Sequence, residues 1–109
     1  MAGKFELKQA QNGKFYFNLK ASNGQIILSS EMYESSAAAE NGIESVKKNA
    51  ASETRYERKK SNKGDDYFIL KAGNGEPIGK SEMYQSAAGM ENGIQSVMSN
   101  AADAPVVAE

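Results

Sequence analysis

Apolar and polar residues alternate with a period of two near the start of the chain, and the alternation returns after residue 55. In KFELKQA (4–10), Phe5 and Leu7 fall on one side and Lys4, Glu6 and Lys8 on the other, which predicts a half-buried strand. KFYFNLKA (14–21) alternates again, with Phe15, Phe17 and Leu19 opposed to Tyr16, Asn18 and Lys20. QIILSSE (25–31) predicts a third strand. QNG (11–13) and SNG (22–24) separate the three, and Asn-Gly is a strong hairpin signal because both residues tolerate positive φ. A second set reads RYERKKS (55–61), DYFILKA (66–72) and EPIGKSE (76–82). Pro77 cannot donate to a ladder, which places its strand at an edge or makes it irregular there.

The period then changes to that of a helix. Ala39, Ile43, Val46 and Ala50 recur at three- and four-residue spacing, as do Met90, Ile94, Val97 and Ala101. Ser35 and Ser86 are placed as N-caps, and Asn49 and Asn100 as left-handed C-caps. Gly42 and Gly93 each cost about 1 kcal/mol relative to alanine inside a helix. Close packing explains them best, because a missing Cβ lets the helix approach the sheet or its sister helix.

These two sets are one unit written twice. Residues 4–51 align without a gap on 55–102, at an offset of 51, and a little over half of the pairs are identical. YF-LKA, SEMY and ENGI-SV are the clearest runs. Such self-similarity marks two copies of one supersecondary unit. Each helix is followed by strand-like residues: Arg55 to Lys59 after the first, Val106 to Ala108 in the tail DAPVVAE (103–109) after the second. Three strands and one helix leave bare edges and an open apolar face. The expected fold is therefore α+β: two tandem β3-α(β) repeats, 4–54 and 55–108, building one antiparallel-rich sheet with an internal two-fold. Both helices lie on one face, the C-terminal strands are exchanged, and 1–109 is a single intertwined domain. The core should hold Phe17, Leu19, Ile27, Ile43 and Val46 with Phe68, Leu70, Ile78, Ile94 and Val97, while Tyr16 and Tyr67 keep exposed rings.

Composition narrows the chemistry. Among 109 residues, 39% are hydrophobic and 25% charged, ordinary values for a globular chain. Neither cysteine nor histidine occurs, so disulfides, thiolate chemistry, histidine base catalysis and the common zinc sites are excluded by inventory. No signal-like or membrane-length apolar run is visible, which predicts a cytosolic protein without a membrane partner. A net charge of −1 and a pI near 5.6 give no reason to expect strong non-specific nucleic-acid binding.

Candidate sites are few. Tyr16 and Lys20, with Tyr67 and Lys71, stand opposite the apolar set of their strands, where such residues can stack bases and hold phosphates. Cross-strand surface pairing explains the same pattern more simply. ERKKSNKG (57–64) is the one basic cluster, with Arg58 and Lys60 sharing a face and Lys59 on the other. Lysines guarding an edge strand account for it, and a phosphate contact is the functional alternative. In SEMY, Met32 and Met83 are expected to fill core gaps, Tyr33 and Tyr84 to staple the helix starts, and Glu31 and Glu82 to be solvated. No phosphate-binding glycine loop is present.

The doubled F-Y-F-LKA-NG--I--SE-Y-S---A--GI-SV--N pattern, over residues 4–102, resembles the YegP-like family, small bacterial proteins built from a tandem domain of unknown function. The resemblance implies a β3-αβ unit with swapped C-terminal strands, and it brings no activity, cofactor or catalytic residue to carry over. The resulting expectation is a small monomeric, non-enzymatic binding or structural module with an internal pseudo-dimer, no cofactor and no identified partner. Weak single-stranded nucleic-acid binding on the open sheet face is the alternative, and an enzyme of unknown type the third reading.

Overall fold

The computed structural model describes residues 3–108; Met1, Ala2 and Glu109, the last residue of the tail considered above, lie outside them. Strands β1 (Lys4–Gln9), β2 (Phe15–Lys20) and β3 (Ile26–Ser29) precede helix α1 (Ser36–Asn49). A 3-10 turn (Glu53–Arg55) leads to β4 (Tyr56–Lys60), β5 (Asp66–Lys71), β6 (Pro77–Lys80), helix α2 (Ala87–Asn100) and β7 (Val106–Ala108). The fold is α+β, with a seven-stranded mixed sheet in the order β4-β5-β6-β3-β2-β1-β7. All neighbours pair antiparallel except β1 and β7, which are parallel. No helix among the described residues is long and apolar enough to cross a membrane.

The two repeats meet along β3 and β6, where Ser29 and Lys80, equivalent positions of the two copies, pair with each other. The exchange of strands runs one way. After α2 the chain passes to the far edge and β7 adds to β1 of the first repeat, with Phe5 N–H donating to the Pro105 carbonyl at 2.8 Å. After α1 it enters β4, which pairs with β5 of its own repeat, and among the described residues no further strand lies beside β4. The structure thus corrects the expectation of two exchanged strands to one. It also moves Pro77: β6 is an interior strand, yet its pairing with β5 shifts register between Leu70 and Lys71, so the irregularity is present and the edge is not. The missing N–H is tolerated because β6 meets β3 at a single register pair, Ser29 with Lys80.

One face of the sheet carries the core. Phe5, Phe17, Leu19, Leu28, Phe68 and Leu70 are buried from water with Ile43, Val46, Ile94 and Val97 of the helices, and every residue expected in the core is buried. Each repeat builds the same aromatic trio. Phe5 meets Phe17 edge-on at 5.8 Å and Phe17 stacks on Tyr33 at 6.2 Å; Tyr56, Phe68 and Tyr84 repeat this at 5.6 and 6.5 Å. The tyrosine rings lie against Gly42 and Gly93. A Cβ on Gly42 would stand 2.4 Å from the Tyr33 hydroxyl, and one on Gly93 2.3 Å from that of Tyr84. The glycines therefore serve close packing, chiefly against the SEMY tyrosine, and at Gly42 against the sheet as well, where Phe17 Cε2 of β2 would lie 3.0 Å from the Cβ.

Met32 and Met83 leave the core to these tyrosines. They are 54% and 45% exposed, because the bridges Phe15–Tyr33 and Asp66–Tyr84 turn the tyrosine inward and its neighbour out. The caps also divide. Ser35 Oγ accepts from Ala38 N–H at 3.1 Å and Ser86 Oγ from Gly89 N–H at 3.0 Å, as expected of N-caps. Asn49 and Asn100 take no left-handed conformation. Their amides donate to the carbonyls of Ser45 and Ser96, and their oxygens accept from Arg55 Nε and Gly3 N–H. At the hairpins only glycine adopts positive φ, as at Gly24 and Gly75, both at 88°. Asn23 and Asn74 contribute through their side chains, each accepting a backbone N–H two residues on at 3.0 Å.

Candidate ligand face

No helix among the described residues covers the face of the sheet opposite the core, and strand registers fix what stands on it. Glu6 pairs with Asn18, Asn18 with Ser29, Ser29 with Lys80, Lys80 with Ile69 and Ile69 with Glu57, so one row crosses both repeats. Lys8 pairs with Tyr16 and Lys59 with Tyr67, equivalent pairs flanking that row. Lys20 and Lys71 close it on their other sides, with Lys4 beside Lys20.

Charge on this face differs from that of the whole chain. Lys4, Lys8, Lys20, Lys59, Lys71 and Lys80 project from it against the carboxylates of Glu6 and Glu57, with exposed Glu31 and Glu82 at the strand ends. Glu40 and Glu44 stand on α1, on the other side of the sheet. A net charge of −1 thus averages a cationic face with acidic surface elsewhere.

Glu6 organises the first half of the face. It is buried although it points away from the core, with Lys20 at 3.2 Å, Lys4 at 3.4 Å and Lys8 at 3.8 Å. Burial alone would raise its carboxyl, but the hydrogen bonds from Lys20 and Lys4 and the charges of Lys20 and Lys8 outweigh burial and hold it below its ordinary 4.5. A lowered carboxyl stabilises the fold fully above that ordinary value and loses the contribution as pH falls through the lowered one. Denaturant midpoints measured across acid pH should fall for the parent and less steeply for Glu6→Gln; parallel curves would contradict this role. Glu57 is the counterpart in the second repeat, held by Lys71 at 2.7 Å and Lys59 at 3.9 Å, and its carboxyl is likewise lowered, chiefly by the Lys71 hydrogen bond.

The tyrosines are half-buried rather than fully exposed. Lys80 Nζ lies 5.1 Å from the centroid of Tyr67, within cation–π range. In the first repeat the equivalent position is Ser29, whose hydroxyl donates to Asn18 Oδ1 at 2.8 Å, so Tyr16 has no such cover from it.

Of the six candidate residues, the structure brings Tyr16, Lys20, Tyr67 and Lys71 to one face and separates Arg58 and Lys60 from them. The latter two share the side of β4 that carries Tyr56, where Arg58 is hydrogen-bonded to Glu91 of α2 and to Glu53, and Lys60 to Asp66 at 2.8 Å. Strand alternation decides this, since Lys59 takes the open face and its neighbours cannot. Lys4, Lys8, Lys59 and Lys80 join the face without having been singled out in the sequence. The signal was available in the alternation of β1 and β4, but a whole-chain charge conceals it.

A family model described as a domain of unknown function, DUF1508, matches the chain twice, over residues 10–57 and 61–107. The UPF0339 protein YegP of Yersinia pestis is 57% identical over 98 residues, spanning 90% of this chain and 88% of that protein. The solution NMR structure of yegP from E. coli, described as a protein of unknown function, superposes with a TM-score of 0.95 at 47% identity, covering 100% of this chain and 94% of that one. A UPF0339 protein from Shewanella oneidensis gives 0.93 at 44% identity, covering 99% and 92%.

Proposed function

From the premise that this chain belongs to the DUF1508 family and carries its unit twice, we propose that it is a small non-enzymatic binding module whose open sheet face takes an anionic ligand. The observation that carries this reading is the segregation of lysines onto one uncovered face of a protein whose net charge is slightly negative. A purely structural surface ordinarily intersperses the two signs evenly, whereas here six lysines outnumber the carboxylates of Glu6, Glu57, Glu31 and Glu82. The lysines are spread rather than converging, and neither cysteine nor histidine is available as nucleophile or base, so the reading is of binding and not of turnover.

Retention on immobilised heparin at low salt tests it. The parent chain should be retained and elute with rising salt, because screening weakens exposed charge pairs. Lys20→Gln with Lys71→Gln should elute distinctly earlier. Lys47→Gln with Lys48→Gln, which removes equal charge from the last turn of α1, should change elution little. No retention of the parent, or equal loss from both pairs, would refute the reading.

A further inference from the structure

We infer that the anion on the open sheet face is single-stranded nucleic acid, with Tyr16 as the principal base-stacking platform and the lysines of both repeats on the phosphates. This rests on the anion-binding reading above and adds the class of ligand. The lysines extend from β1 to β4, five strand intervals in the sheet order, or about 24 Å at the usual strand spacing. A small anion could neutralise one or two of them, whereas an extended polyanion can meet them along its length.

The shape of the face selects the single strand. Among the described residues no helix or paired ribbon rises from it to enter a duplex groove, and base stacking on a tyrosine requires a base free of its own stack. Each repeat offers one ring flanked by lysines, Lys8, Tyr16 and Lys20 in the first and Lys59, Tyr67 and Lys71 in the second. Such a lysine-and-aromatic surface tracks backbone and stacks bases with little regard to sequence. The side chain best placed to read a base edge is Asn18 beside Tyr16, and its oxygen is already occupied by Ser29.

The two repeats are unequal. The Lys80 ammonium over Tyr67 must move before a base can lie on that ring, while Ser29 imposes no such displacement on Tyr16. Tyr16 is therefore the stronger platform, although the two tyrosines are equivalent in sequence.

Fluorescence anisotropy of the intact chain would test this with a labelled oligothymidylate, a duplex of equal length, and heparin as competitor. The oligothymidylate should bind more tightly than the duplex at low salt. Tyr16→Leu should weaken it about tenfold, within the range for loss of one stacked base, and leave heparin retention unchanged. Tyr16→Phe should keep the affinity, and Tyr67→Leu should cost less than Tyr16→Leu. Lys20→Ala with Lys71→Ala should reduce the slope of log affinity against log salt by about 1.4. Circular dichroism of each variant separates lost binding from lost fold. Heparin binding without oligothymidylate binding, equal binding of duplex, or indifference to Tyr16→Leu would overturn this inference and leave the anion-binding reading standing. Failure to bind heparin as well would overturn both.

Discussion

Residues 1–54 produced alone, and residues 52–109 produced alone, are expected to give no folded monomer. Each helix packs across the line between the repeats: α1 contacts β1 and β2 of its own unit and also β5 and β6, while α2 contacts β5 and also β3. Cutting the chain uncovers the part of each helix stripe that faces the other unit. It also removes β7 from β1, leaving Phe5, Glu6 and Leu7 without the partners Val106, Val107 and Ala108. A unit of about 50 residues buries only about 60% of its unfolded surface even when intact. One that has lost an edge strand and half of its helix packing has no margin left. The halves should therefore be unfolded or self-associated, and the whole chain should unfold in one transition. Light scattering and an amide NMR spectrum of each half decide the matter. A well-dispersed monomeric spectrum from either half would show two independent units on a tether instead.

Replacing both helix glycines by alanine is expected to destabilise the protein, against helix propensity. Propensity favours each change by about 1 kcal/mol. The new Cβ, however, would stand 2.7 Å from the ring carbon Cζ of Tyr33 or Tyr84, and 2.4 or 2.3 Å from the hydroxyl oxygen. The rings cannot retreat cheaply, since each is stacked on Phe17 or Phe68 and bridged through its backbone to β2 or β5. Overpacking of this kind costs about 1–3 kcal/mol per site, so steric conflict wins. Gly42→Ala with Gly93→Ala should lower stability by up to about 4 kcal/mol, the overpacking cost less the propensity gain summed over two additive sites. Tyr33→Leu added to Gly42→Ala should recover part of the loss, measured as a coupling energy in a double-mutant cycle. Absence of coupling would mean that the tyrosine is not the obstacle.

How far the fold could be read from sequence varied with the range of the interaction. Strand alternation assigned Phe17 and Tyr16 to opposite faces because the period is a local property of the backbone. Ser35 and Ser86 were legible as caps because the bond they make reaches only three residues. The repeat told where a second set of elements would stand. What stayed hidden depends on contacts between distant segments. Met32 looks like a core residue until the Phe15–Tyr33 bridge fixes which side of the chain turns inward. Asn100 looks like a left-handed cap until the Gly3 N–H, from the far end of the chain, is seen to donate to its side-chain oxygen. The candidate face suffered most. Its lysines lie on β1, β2, β4, β5 and β6, and only the register brings them together. A burial of Glu6 beneath three ammonium groups has no trace in a pattern that assigns its side of the strand to water.

Leu28 and Gly79 occupy equivalent positions on β3 and β6, one on each side of the seam between the repeats. Leu28 is fully buried, and a Cβ on Gly79 would lie 2.7 Å from its Cγ and Cδ2. One leucine therefore fills the space that symmetry would offer to two. A chain that joined the first unit to itself would bring two leucines to that seam, and a chain that joined the second unit to itself would bring two glycines and a void. The halves have become a left and a right hand. The order of the two copies is therefore part of what the sequence encodes, because Leu28 and Gly79 complement each other only across the seam between unlike units.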